Sequence, residues 1–298
     1  MRRIAILVLL VSLLASCKNE AEYYDGSHDL VFSELPRVWD EGIPLGNGML
    51  GALVWQKENK LRISLDRVDL WDLRPMKNLD FSKFTYDWVY TQWKNDTYEQ
   101  VQKQLDVPYD QRVAPTKIPA AAMEFDISHL GAIKEVRLSV NNALCRVIWE
   151  SGEQFEIFVN AKNNTGWYRF NNCNTEAIPE LIPPAYTKAG GKIEQDVIFK
   201  ADLALLGYDK GVINKKNNEI EYTQDGWGGF KYSVALKWDK KETQTRGCWS
   251  ISSWFPGWEE TPDALDMVNE VFDNGFKRSF QSHKQWWQDH WSRSSISV

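Results

Sequence analysis

The sequence predicts a mainly β protein: a large antiparallel β-sandwich with a few helices and a C-terminal helical segment. Three observations carry that expectation. Apolar and polar side chains alternate with period two in run after run, as in Leu61, Ile63 and Leu65 against Arg62, Ser64 and Asp66. Turn dipeptides (Asn141-Asn142, Ser151-Gly152, Asn163-Asn164) separate such runs at roughly ten-residue spacing, as in large sandwiches. The third is bulk. Fifteen of 298 residues are tryptophan, and most of those rings are assigned to a β core.

At the N-terminus, Arg2 and Arg3 precede an apolar run over 4–14. A membrane-spanning helix needs ~20 apolar residues, so this run reads as a secretory signal. Leu14-Ala15-Ser16-Cys17 resembles a lipobox, in which the cysteine is lipid-modified and becomes the first mature residue. The alternative is an ordinary signal peptide with an incidental cysteine. The expected organisation is a signal peptide over 1–16, a polar tether over 17–28, a sandwich over 29–260 and a linker helix over 261–298. The expected location is the cell envelope, lipid-anchored through Cys17, on the surface or periplasmic face of an outer membrane.

Two of the 35 basic residues lie in the signal, which leaves 33 against 41 acidic ones, a net charge of −8. With no basic cluster, nucleic acid is not an expected partner. Beyond Cys17, three cysteines remain: Cys145, Cys173 and Cys248. An odd number with no CxxC spacing argues against a disulfide framework or a metal site, and small buried side chains are the simpler use.

Strands are expected at 29–32, 51–56 and 61–68, and the Gly- and Pro-rich stretch 42–48 between the first two reads as turn. Trp88, Val89, Trp93, Val101 and Leu105 recur at helical intervals, so one or two short helices are expected over 81–105. Five strands then read as a meander, at 123–127, 133–140, 143–149, 154–159 and 166–170. The proline-bearing stretch 178–192 reads as a loop. Strands resume at 193–200, 218–222, 230–238 and 245–254. Last comes a single helix with Thr261 as N-cap and Pro262 in its first turn. Leu265, Val268, Phe272, Phe276, Phe280, Trp287 and Trp291 form one apolar stripe on it, and Trp286, Trp287 and Trp291 ask for a partner surface.

The most specific stretch is 38–54, with Trp39, Asp40, Glu41 and then Pro44-Leu45-Gly46-Asn47-Gly48 before Leu50-Gly51-Ala52-Leu53. It resembles the opening motif of glycoside hydrolase family 95, the α-L-fucosidase and α-galactosidase group, and family 65 phosphorylases keep a similar Gly-Asn-Gly. Ile63 to Trp71 and the closing His283-Lys284-Gln285-Trp286-Trp287 are similar to that family's next strand and its sandwich-to-barrel linker. The resemblance implies a galactose-mutarotase-like supersandwich acting on glycans. It also implies a helical barrel in cis that carries the acid and base, so the chain is expected to stop before its catalytic segment.

On that reading no catalytic residue is expected within the chain, and no cofactor or metal. The candidate glycan contacts are Trp39, Glu41, Asn47, Trp71, Trp227, Trp254 and Trp258. Asn47 keeps two readings: a turn former tolerant of positive φ, or an amide aimed at sugar hydroxyls. Asp40-Glu41 are adjacent and cannot flank one bond, whereas glycosidic cleavage by inversion sets its carboxyls ~6.5–9.5 Å apart. Asp66, Asp69 and Asp72 are expected in turns or ion pairs. His28, His129, His283 and His290 have no metal-type spacing. Two further readings stay open. A stand-alone glycan-binding lipoprotein requires the last helix to fold back on its own sandwich. An epimerase-like enzyme requires a histidine–carboxylate set that the sequence does not offer.

Overall fold

The computed structural model describes residues 26–76, 80–108, 115–186 and 202–294. Cys17, the signal and the strand expected over 193–200 lie outside the described residues.

In chain order, β1 (Leu30–Phe32) precedes a 3-10 turn at Trp39–Glu41, then β2 (Ile43–Gly46), β3 (Leu50–Lys57), β4 (Lys60–Arg67) and β5 (Trp71–Asp72). Helices α1 (Tyr86–Lys94) and α2 (Glu99–Leu105) follow. Next come β6 (Thr116–Lys117), β7 (Ala121–Asp126), β8 (Ile133–Ser139), β9 (Leu144–Trp149), β10 (Gln154–Val159) and β11 (Thr165–Asn171). Then β12 (Glu180–Ile182), β13 (Val212–Lys216), β14 (Glu219–Asp225), β15 (Lys231–Lys241) and β16 (Gln244–Trp254) lead to α3 (Ala264–Phe272) and α4 (Gly275–Trp291).

These strands form the expected large antiparallel sandwich. A nine-stranded sheet runs β1-β8-β9-β10-β11-β16-β15-β14-β13, and a five-stranded sheet runs β12-β7-β4-β3-β2. Their facing sides bury Val54, Ile63, Met123, Phe125, Phe155, Tyr168, Trp249 and Ile251 in one continuous core. Trp55, Trp149, Trp167, Trp238 and Trp249 are buried, so the core use expected for most of the tryptophans holds for five of the fifteen, and the other ten are partly or well exposed. The meander holds from β8 to β11, but β7 pairs with β4 and so belongs to the small sheet.

The strands that the sequence hides are edges. β2 carries Pro44 and borders the small sheet, where one face of the backbone needs no partner. β12 sits at the opposite border, between Pro179 and Pro183. β13 borders the large sheet and is exposed along its whole length, so no alternation marks it.

The C-terminal helix is two helices. Asp263, not Thr261, is the N-cap of α3 and accepts from the Leu265 N–H at 2.8 Å. Thr261 instead donates to the Ser253 carbonyl at 3.0 Å. The break falls at Gly275, whose φ of +72° suits glycine, and a Cβ there would meet Arg246 Nη1 at 2.3 Å. Both helices lie on the outer face of the large sheet. Val268, Phe272 and Phe276 are buried against Leu144, Phe158, Trp167 and Cys248. Each phenylalanine so covered contributes roughly 1.5–3 kcal/mol. The first part of the stripe is thus covered by the chain's own sheet, whereas Trp286 is 38 % exposed and Trp287 and Trp291 are half-buried outside that cluster.

His283 fastens α4 and is fully buried. Its Nδ1 accepts from the Ala161 N–H at 3.2 Å, so Nε2 carries the proton and donates to the Asn142 carbonyl at 2.8 Å. Burial pulls its pKa down to about 4. Cys145, Cys173 and Cys248 are buried free thiols. Among the described residues no helix is long and apolar enough to cross a membrane.

Candidate functional site

Strand register places two candidate regions at the same end of the sandwich. Leu50 pairs with Arg67, Thr165 with Ser250, and Lys231 with both Asp225 and Trp254. The turn after β2, the β10–β11 turn, and the ends of β14 and β16 therefore gather there. Trp39 and Glu41 precede β2 and lie at the other end of that four-residue strand from Asn47. The single motif of the sequence is split in space.

Asn47 is a pin between the two sheets. Its Oδ1 accepts from the N–H groups of Met49 (2.9 Å) and Leu50 (2.8 Å). Its Nδ2 donates to the carbonyls of Asn160 (2.9 Å) and Asn163 (3.1 Å) in the β10–β11 turn. Both amide hydrogens and both acceptor directions are occupied. Gly48 completes the turn with φ +89°. This geometry favours the turn reading of Asn47 over sugar contact.

The carboxylates on and after β4 are also committed. Asp66 pairs with Lys117. Asp69 meets Arg67 Nε at 2.8 Å and the Ser253 hydroxyl at 2.8 Å. Asp72 accepts a fork from Arg74 Nε (2.9 and 3.1 Å) and the Tyr208 hydroxyl at 2.8 Å. Trp71, 39 % exposed, stands beside them with its indole N–H donating to the Val68 carbonyl.

A cleft opens beside this network, where β14, β15 and β16 end and the chain returns over 255–263 to start α3. Its volume of about 470 Å³ lies within the range of small-molecule sites. The floor is closed by internal bonds. Ser233 and Ser252 hydroxyls are 2.7 Å apart, and Ser233 donates to Asp263 Oδ2 at 3.1 Å. Buried Arg67 reaches from the small sheet to the Ser253 hydroxyl (3.0 Å) and the Ile251 carbonyl (3.1 Å).

The rim differs from the floor. Lys231 extends over the Trp254 ring, 5.8 Å from its centroid. Asp225, Lys231 and Glu260 are exposed lining residues whose charged groups enter no ion pair or side-chain hydrogen bond among the described residues. Two aromatic loops flank the cleft. Phe255 packs on Gly228, while Trp258 contacts Phe230 and Phe255 with centroids 6.4 and 5.8 Å apart. Trp227 and Trp258 are each 37 % exposed.

The structure puts Trp254 in the cleft lining and leaves Trp227 and Trp258 in flanking loops outside that lining, with Trp71 two residues from Asp69, which supports the cleft floor. It leaves Trp39 and Glu41 apart. Sequence reading passed over Lys231, Glu260, Asp263 and Arg67, because only strand register assembles them. A hint was available in Asp225 and Lys231, which bracket the Gly228-Gly229 turn.

The arrangement offers an aromatic wall, unpaired charged groups and hydrogen-bonding edges. Among the described residues no group of three or more His, Cys, Asp or Glu is placed to hold a metal ion. No family model and no curated protein matches the sequence. One solved structure with some likeness is described as a kojibiose phosphorylase from human microbiome, with a TM-score of 0.46 and 10 % identity. The match covers 83 % of this chain, which spans 32 % of the length of that one.

Proposed function

We propose that this chain is the β-sandwich portion of an exported, lipid-anchored protein of glycan metabolism, and that it holds carbohydrate in the Trp254 cleft. The observation that carries the reading is the pairing of an aromatic wall with uncommitted polar groups around a cavity. Sugar rings present C–H faces to aromatic surfaces and hydroxyls to charged and polar edges. Trp254 supplies the face. Asp225, Glu260 and Lys231 supply the edges, and the loops of Trp227 and Trp258 extend the surface.

The resemblance of residues 38–54 to the opening motif of glycoside hydrolase family 95 supports a glycan context. In this reading the bond-breaking carboxylates belong to a helical barrel in cis. Anchoring at Cys17 would hold the protein in the cell envelope. A second reading, a stand-alone glycan-binding lipoprotein, is favoured by one observation: α3 and α4 cover the first part of their apolar stripe with their own sheet. Both readings share the cleft.

A glycan array probed with the purified protein tests the shared claim. Binding to a defined set of glycans, accompanied by a change in tryptophan fluorescence, is expected. No binding across neutral, amino and acidic glycans refutes it. Labelled fatty acid incorporated by the wild type and lost in Cys17→Ser tests the anchor separately.

A further inference from the structure

We infer that the Trp254 cleft sorts glycans by charge, taking neutral and amine-bearing sugars and turning away uronate and sulfated ones. This rests on the reading that the cleft holds carbohydrate. Three carboxylates line it, Asp225, Glu260 and Asp263, against one cation, Lys231. That cation is drawn over the Trp254 face. Asp263 is turned inward, accepting from Ser233 and from the Leu265 N–H as the cap of α3. Asp225 and Glu260 remain the open groups on the rim.

The crowding of negative charge continues behind the wall. Glu221, on β14, has its pKa pushed up by burial first, and then by Asp263 and Asp266. A sugar carboxylate or sulfate entering the cleft meets like charges with one cation to offset them. A sugar amine meets two carboxylates that have no ion-pair or side-chain hydrogen-bond partner among the described residues. Like-charge juxtaposition is a common device for rejecting wrong ligands. The cleft is open to solvent, so the discrimination is moderate and weakens with salt.

The test uses tetramers of β-1,4-linked glucose, glucosamine and glucuronate, with galactose, galactosamine and galacturonate as a second set. Affinities are measured for the wild type, for Asp225→Asn/Glu260→Gln, and for Asp87→Asn/Glu99→Gln, which removes the same net charge from α1 and α2. For any backbone that binds, the wild type is expected to prefer the neutral or amino member over the uronate about tenfold. The rim variant should narrow that ratio by about tenfold, and the helix variant should leave it in place. Uronates that bind the wild type as tightly as neutral sugars overturn the inference, as does an unchanged ratio in the rim variant. Failure of the wild type to bind any member is a different pattern: it removes the carbohydrate reading itself, and this inference with it.

Discussion

The Asn47 turn and the Trp254 cleft lie at the same end of the sandwich, and each combines polar side chains with a glycine-bearing turn nearby. They differ in what is left over. In the turn, two donors and two acceptor directions of one amide are all satisfied by backbone groups of the protein. In the cleft, the floor is satisfied in the same manner, but among the described residues Asp225 and Glu260 on the rim have no ion pair or side-chain hydrogen bond, and Lys231 has only the Trp254 face. A polar side chain suited to recognition and one suited to fastening can be the same residue type in the same kind of loop. The distinguishing property is whether its hydrogen-bonding capacity is filled.

That contrast can be sharpened by removing groups on each side of it. The largest effect is expected under the cleft, at Arg67, which is buried and joins Asp69, Ser253 and the Ile251 carbonyl. Arg67→Met should cost about 3–5 kcal/mol in urea unfolding, because Asp69 is left without its cation. A cost below about 1 kcal/mol would mean that the floor is no more committed than the rim.

His283 comes next, through pH. Its folded pKa of about 4 lies below the ordinary 6.5, so the folded state resists a proton that the unfolded state accepts. Its contribution is complete above pH 6.5 and falls as the pH drops toward 4, by about 3 kcal/mol in all. Urea unfolding of wild type and His283→Gln between pH 4 and 7 should show that extra slope in the wild type alone. Parallel curves would contradict the buried, neutral imidazole.

A smaller loss is expected at Asn47. Asn47→Ala leaves two backbone N–H groups and two carbonyls without their partner in a half-buried turn, so about 2 kcal/mol should be lost. Glycan binding by this variant should match the wild type at temperatures where both are folded. A stable Asn47→Ala protein that no longer binds glycan would reverse the assignment and make the turn the site.

Much of the sandwich could be read directly because central strands alternate apolar and polar side chains in sequence, as β4 does even though both its faces are buried, and as β8 and β9 do in burial as well. The edges could not. β2 alternates buried and exposed residues but is four residues long with Pro44 inside it, β12 is three residues between prolines, and β13 is exposed throughout. The C-terminal segment, expected as one helix capped by Thr261, is two helices, the first capped by Asp263. An apolar stripe states that a surface must be covered, not by what, and the outer face of the nine-stranded sheet covers its first part. At the site, Trp227, Trp254 and Trp258 were legible as candidate contacts, and of these Trp254 lines the cleft. Asn47 stood out equally, but its partners lie 113 and 116 residues away, which local pattern does not reveal.

The most direct test of the contrast is Trp254→Ala, measured for glycan binding and thermal unfolding together with Asn47→Ala. Trp254 is half-buried on the rim, so its loss should shift unfolding by less than about 1 kcal/mol. Its removal should also lower glycan affinity by more than tenfold, taking for a sugar face on the ring the roughly 1–3 kcal/mol that a stacked nucleobase carries. Undiminished binding by a folded Trp254→Ala protein would contradict the assignment of the cleft as the glycan site.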